Sequence, residues 1–234
     1  TSLQTQITDL TNQLAILSFD IEFIDPITTF IETETFFQFN PRLTTLSSSA
    51  ARSSVDNQVS QYFETNIGDF DQAFRRSNIL ADIDEISPAI LSSRMNVRMQ
   101  QRITPTLGAL NSITLRFPQD IAREDVETYT ISSSPFIFEG ESCVLRNRLS
   151  STTLEVFSNT SATVLVDNVG QYNGPNATVS ITGFRPESII GGVNYIKIKA
   201  VPANQSAVVP NREEILTYDA NESFSRAVVT SATN

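Results

Sequence analysis

The chain has no histidine and no tryptophan, and only one cysteine and two methionines, in 234 residues. The missing histidine removes the Ser-His and Cys-His nucleophile pairs, the usual zinc sites and the imidazole pH switch. The single cysteine, Cys143, can form neither an internal disulfide nor a CxxC site. Packing alone must hold the fold, and Cys143 reads as a small buried filler. Basic residues are in the minority, 16 against 26 acidic, for a net charge of -10. That balance argues against nucleic acid as a main partner, because phosphate binding needs a basic footprint. No apolar run approaches the ~18 residues needed to cross a bilayer, and there is no signal-like start. No Gly-rich phosphate loop or nucleophile elbow is present. We therefore expect no cofactor, no membrane partner and no small-molecule substrate.

What is present suffices for a core: 40% of the residues are hydrophobic, in a length suited to one large or two small domains. Residue 1 is Thr, which suggests a processed or truncated chain. Four Asn-X-Ser/Thr sequons, at Asn159, Asn176, Asn204 and Asn221, are about what chance gives in a chain rich in these residues, and are not read as glycosylation.

Periodicity divides the chain. Leu3, Ile7, Leu10 and Leu14 form one helical stripe. The segment "FDIEFIDPITTFIETETFFQFNP" reads as strands. From its middle onward Ile31, Thr33, Thr35, Phe37 and Phe39 share one face, and Phe30, Glu32, Glu34, Phe36 and Gln38 the other. A helix is expected from Leu46 to Thr65, stopped by Asn66 to Gly68. A second follows, capped by Ser77 or starting at Asp69 with Gln72 as a capping-box partner. Its expected buried side is Leu80, Ile83 and Ile86, with Ile79 flanking. "ILSSRMNVRMQQRI" alternates as a strand: Leu91, Met95, Val97, Met99 and Ile103 face one way, and Arg94, Asn96, Arg98, Gln100 and Arg102 the other. From about Leu110 strand signals dominate: "SITLRF", "ETYTI", "TTLEVF", "TVLVDNVGQY", "ATVSITGF", "NYIKIKAV", "EEILTY" and "FSRAVV". Asn173-Gly174-Pro175-Asn176 marks a hairpin and Gly191-Gly192 another turn. Ile196, Ile198 and Ala200 are expected inward, with Tyr195, Lys197 and Lys199 outward. The fold class is α+β: an α/β module over residues 1–106, ordered helix-strand-helix-helix-strand, then a mostly-β domain over residues 107–234.

Candidate sites follow from these faces. Asp69, Asp71, Asp82, Asp84 and Glu85 do not fit a calcium loop's ligand spacing and read as solvated helix and loop residues; no metal or catalytic set is assigned. Arg94, Arg98 and Arg102 share a strand face. With Arg75 and Arg76 they form either a solvated surface or an interface where guanidinium forks meet carboxylates. Phe30 and Phe36 are large aromatics on an otherwise polar strand face, so a helix of the same domain or another chain must cover them. Phe30, Phe36, Arg94, Arg98 and Arg102 are the candidate interface.

The order of these pieces resembles a known family. "FFQFNP" leads to the helix "SSVDNQVSQYFET", then to "NIGDFDQAFRRSNILADIDEI" and a strand beginning "ILSSRM". Later come "VGQYNGPNATVSITGF", "IKIKAVP" and "VVPNREEILTYD". Together, over nearly the whole chain, they resemble the C-terminal half of the baseplate wedge protein of the large contractile-tailed (myovirus) bacteriophages, within the Baseplate-J-like superfamily. The resemblance implies a C-terminal fragment whose α/β module is a ferredoxin-like sandwich with its first strand upstream of Thr1. It implies that Tyr62 to Asp84 is a helix-loop-helix joint rather than a site of chemistry. It also implies a non-enzymatic virion protein of the tail baseplate, assembled in the host cytoplasm. Copies would pair as homodimers or a ring and bind other wedge proteins. The alternative class is a receptor- or carbohydrate-binding tail module using Tyr172 and Tyr195. A carboxylate-only hydrolase is weaker, because it needs two acids in one cleft and no pair stands out.

Overall fold

The computed structural model describes residues 5–7 and 25–230. Residues 5–7 are helical; the rest of the stripe through Leu14 and the segment before Asp25 lie outside the described residues. The elements then run β1 (Ile27–Phe39), a 3-10 turn (Pro41–Leu43), α1 (Ser48–Asn66), β2 (Phe74–Arg75), α2 (Arg76–Glu85), β3 (Ile90–Ile103), β4 (Asn111–Arg116), β5 (Ile131–Ser133), β6 (Phe136–Phe138), β7 (Glu141–Asn147) and β8 (Leu154–Ser158). They continue with β9 (Val164–Val166), β10 (Gly170–Asn173), β11 (Thr178–Phe184), β12 (Ser188–Ile189), β13 (Ile196–Ala200), β14 (Ala207–Val208), β15 (Glu214–Tyr218) and β16 (Phe224–Val229). The class is α+β and mostly strand.

One sheet of 11 strands organises the molecule. Its main path is β12-β6-β7-β5-β13-β3-β1-β15, with β16 also on β1, and β8 and β9 extending from β7. β1 and β3 are the longest strands and pair antiparallel from Phe30↔Gln100 to Phe39↔Ile90. On the far side of β1 two strands pair in succession, both parallel: β15 along Ile27 to Ile31 and β16 along Glu34 to Phe39. β3 also pairs antiparallel with β13, so the sheet runs through the boundary drawn at residue 106. β4, β10 and β11 form a separate three-stranded sheet.

Alternation in β1 and β3 decides the layering. Ile31, Thr33, Thr35, Phe37, Phe39, Met95, Val97 and Met99 are all buried. α1 packs on this face along β16 and β15, and α2 along β3. The Ser47 hydroxyl caps α1, accepting from the Ala50 N–H at 3.1 Å. Ala51, Val55, Val59, Tyr62 and Phe63 form its buried stripe, as the spacing predicts. Phe63 stacks on Tyr218 of β15 (4.3 Å between centroids) and on Phe74 (5.4 Å). Fully burying a side chain of this size contributes about 1.5–3 kcal/mol.

The joint from Tyr62 to Asp84 is built for connection. Ile67 ends α1 with its N–H on the Phe63 carbonyl, and Gly68 turns the chain at φ +135°. Phe74 returns to the core at 0% exposure. The Asp69 N–H donates to Gln72 Oε1 at 2.9 Å, half of a capping box, but no helix starts there. α2 begins at Arg76 and has no side-chain cap, so Ser77 lies inside it. Ile79 and Ile83 form its buried side, while Leu80 and Ile86 are partly buried.

Three strand expectations are corrected. Leu91 is 49% exposed, because the β1–β3 register shifts by one residue between Gln38 and Phe39. Each extra residue reverses the faces before it, so Ile90 takes the inward place. "TVLVDNVGQY" is two strands, β9 and β10, which pair with different neighbours. "ETYTI" becomes strand only at Ile131. The hairpin β6–β7, turning at Glu139 (φ 51°) and Gly140 (φ 75°), has no counterpart among the sequence-derived strands.

Candidate functional site

The helices cover one face of β1 and β3. Across the other lie the candidate residues, and the structure divides them into two groups. Arg102 is committed within the chain. Its guanidinium lies 3.6 Å over the Phe30 ring and 4.5 Å over that of Tyr195, and it pairs with Asp219 at 3.2 Å. Arg94 sits directly across from Phe36 in the register and 4.3 Å over its ring. It is exposed, and such stacking is worth about 0.5–1 kcal/mol at a surface. Arg98 is exposed and faces Glu32 in the register, yet among the described residues it makes no ion pair. Phe30 and Phe36 are thus covered by arginine planes instead of a helix. Arg76 does not join this face: it donates to the Met95 carbonyl at 3.1 Å. The Gln205 amide oxygen accepts the Val97 N–H. Together these two side chains seal part of the edge of β3 that β13 leaves uncovered.

Between β15 and β16 the chain arches over this face. The Asp219 N–H donates to the Ile31 carbonyl at 3.0 Å. The Thr33 N–H donates to the Ser223 hydroxyl, which donates in turn to the Asp219 carbonyl. This arch sets Asp219 and Glu222 above the two lysines of β13. Asp219, with a side chain 2% exposed, accepts from Gln100 at 2.7 Å, Lys197 at 2.9 Å and Arg102. Glu222 takes Lys197 at 3.0 Å and Lys199. Lys199 also reaches Glu32 Oε2 at 3.1 Å. One charge chain therefore runs Arg102–Asp219–Lys197–Glu222–Lys199–Glu32, tying β3, β13, β1 and the arch together.

The titration directions follow the partners. Burial pushes the Asp219 carboxyl up, but Lys197 and Arg102 together outweigh it and hold it below the ordinary aspartate value. Burial likewise opposes Glu222, and Lys199 and Lys197 outweigh it. For Lys197, burial pulls down and its two carboxylates raise it above the ordinary lysine value. Glu32 goes the other way: burial raises its carboxyl, Lys199 offsets only part, and Glu222 and Asp219 add repulsion. Its second oxygen, Oε1, is buried with no hydrogen-bond partner. Glu32 lines a groove of about 500 Å³ that also touches Glu34, Arg98, Tyr129, Glu222 and Phe224.

Sequence reasoning placed Lys197 and Lys199 outward but left Asp219, Glu222 and Glu32 out of the site. The outward lysine pair in "IKIK" was the available signal; its acidic partners arrive through a strand pairing no local pattern encodes. Asp69, Asp71, Asp84 and Glu85 are exposed and Asp82 partly so. Among the described residues no three His, Cys, Asp or Glu side chains are grouped to hold a metal ion. Tyr172 is buried at 3% exposure and Tyr195 is held against Arg102, so neither presents a free aromatic platform.

Residues 28–102 match the family described as baseplate structural protein gp6, C-terminal domain III. The match is about a third of the chain. It starts in β1 and ends in β3, spanning both helices and all five candidate interface residues. No curated protein matches the chain. Over that stretch the chain is similar to a structural component of a phage tail baseplate, which supports a structural role in the virion tail.

Proposed function

We propose that the chain is a structural subunit of a phage baseplate wedge, of the Baseplate-J-like type. It pairs with copies of itself and with other wedge proteins to form the ring around the tail hub. It is assembled in the cytoplasm of the bacterial host and works by fitting surfaces together. The observation that carries this reading is the sheet face of β1 and β3. It lies within the matched stretch, opposite the helices, with Arg94 exposed over Phe36 and Arg98 exposed across from Glu32. Stable assemblies use interfaces with aromatic and arginine anchors at the centre and polar rims. This face has that composition.

The test is a sedimentation series across concentration, with Arg94→Glu and Arg98→Glu together in the full chain. Association that weakens by tenfold or more supports the face as an interface. Unchanged association removes it. Arg102 is left intact because its contacts hold the fold.

A further inference from the structure

Glu32 is 5% exposed, one of its oxygens has no partner, and it forms part of the wall of the groove on the candidate interface. A buried carboxylate oxygen without a donor carries a desolvation cost that an arriving donor relieves. We propose that this groove receives an arginine side chain presented by a neighbouring protein, whose guanidinium donates to Glu32 Oε1 as the carboxyl turns out of its solvent-shielded position. The inference rests on the reading of this face as an interface and adds the chemistry of what it takes.

Three features choose arginine. First, the groove wall holds three carboxylates, Glu32, Glu34 and Glu222, and the whole chain is at -10. A planar fork can meet two acceptors on one wall. Second, the half-buried Phe224 ring borders the groove and suits the flat guanidinium or its stem. Third, a divalent cation is disfavoured: among the described residues no three acidic side chains converge. The residues facing Glu32 are Lys199 from β13, Arg98 from β3, and Asp219 and Glu222 from the arch, with Glu34 beside it on β1. Lys199 is already shared between Glu32 Oε2 and Glu222, so it does not complete the site.

Binding of a cation beside Glu32 favours its ionised form, so affinity must rise with pH through the Glu32 titration. The experiment follows the Glu32 side-chain carboxyl carbon by NMR in the full chain while adding Ac-Gly-Arg-Gly-NH2. The same peptide with citrulline, neutral and nearly isosteric, is the control. We expect a saturating shift with the arginine peptide, a fall in the Glu32 midpoint, and about tenfold weaker binding of the citrulline peptide. In Glu32→Gln the response of the neighbouring Thr33 and Lys199 signals disappears. Equal responses to the two peptides overturn the proposal. So does a response that appears only in Arg98→Ala, since Arg98 would then already fill the site from within the chain. The two readings fail separately. An arginine response with association unaffected by the Arg94/Arg98 substitutions leaves the groove and removes the interface. Lost association with no arginine response does the reverse.

Discussion

Glu32 and Asp219 are both buried acids on one face, yet they act on stability in opposite directions. Asp219 accepts three donors, and its lowered value means the folded state is favoured above the unfolded aspartate value of about 3.9 and loses that advantage as pH falls through the folded value. Glu32 has a raised value, so the folded state holds its proton longer than the unfolded chain does. Stability is full below the unfolded glutamate value of about 4.3 and declines as pH rises toward the folded value. Replacing Glu32 by Gln removes that decline. Thermal unfolding of Glu32→Gln is therefore expected to show a higher midpoint than the parent at pH 7. The gain should vanish by about pH 3, well below the unfolded glutamate value, where Glu32 is protonated in both states. A lower midpoint at pH 7 would mean the Lys199 contact outweighs burial.

At the scale of elements, turns and bulges decide which faces meet. Gly170 starts β10 at φ +134°, and a Cβ there would lie 2.0 Å from the Ser180 carbonyl oxygen on β11. Gly183, at φ +68°, has open space around it. Gly170→Ala is expected to destabilise by about 3 kcal/mol or more, combining overpacking with strain. Gly183→Ala is expected to cost about 1–2 kcal/mol from its dihedral alone. Urea unfolding of the two variants tests the ranking, which reverses only if β10 and β11 separate easily. The same contrast explains what could be read in advance. The alternation of β1, β3 and β13 and the stripe of α1 were legible because each is one long local period. Leu91 was misread because a single bulge residue inverts a strand's faces without changing its composition. The hairpin at Glu139-Gly140 was missed because Phe136–Phe138 is too short to show a period. Of the candidate site, the arginine and phenylalanine positions were legible from alternation. The acid that engages Arg102, Asp219, was not, because it comes from 117 positions away.

Across the whole molecule, the sheet joins regions far apart in the chain. β13 crosses to β3, and β15 and β16 close the far side of β1. A chain ending at Pro210 loses both of these strands, the arch with Asp219 and Glu222, and the Tyr218 ring beneath Phe63. It is expected to aggregate, because β1 then presents an open hydrogen-bonding edge; light scattering against the full chain checks this. A monodisperse, folded product would show that α1 and β3 suffice to hold β1.

The pairing of Ile27 with Glu214 also sets a timetable for birth at the ribosome. About 190 residues separate the two, and translation at 5–20 residues per second leaves β1 waiting roughly 10 to 40 s for its last neighbours. Through that interval the nascent protein carries a half-made sheet. Its safe maturation then depends on what shields that strand while the remaining chain emerges.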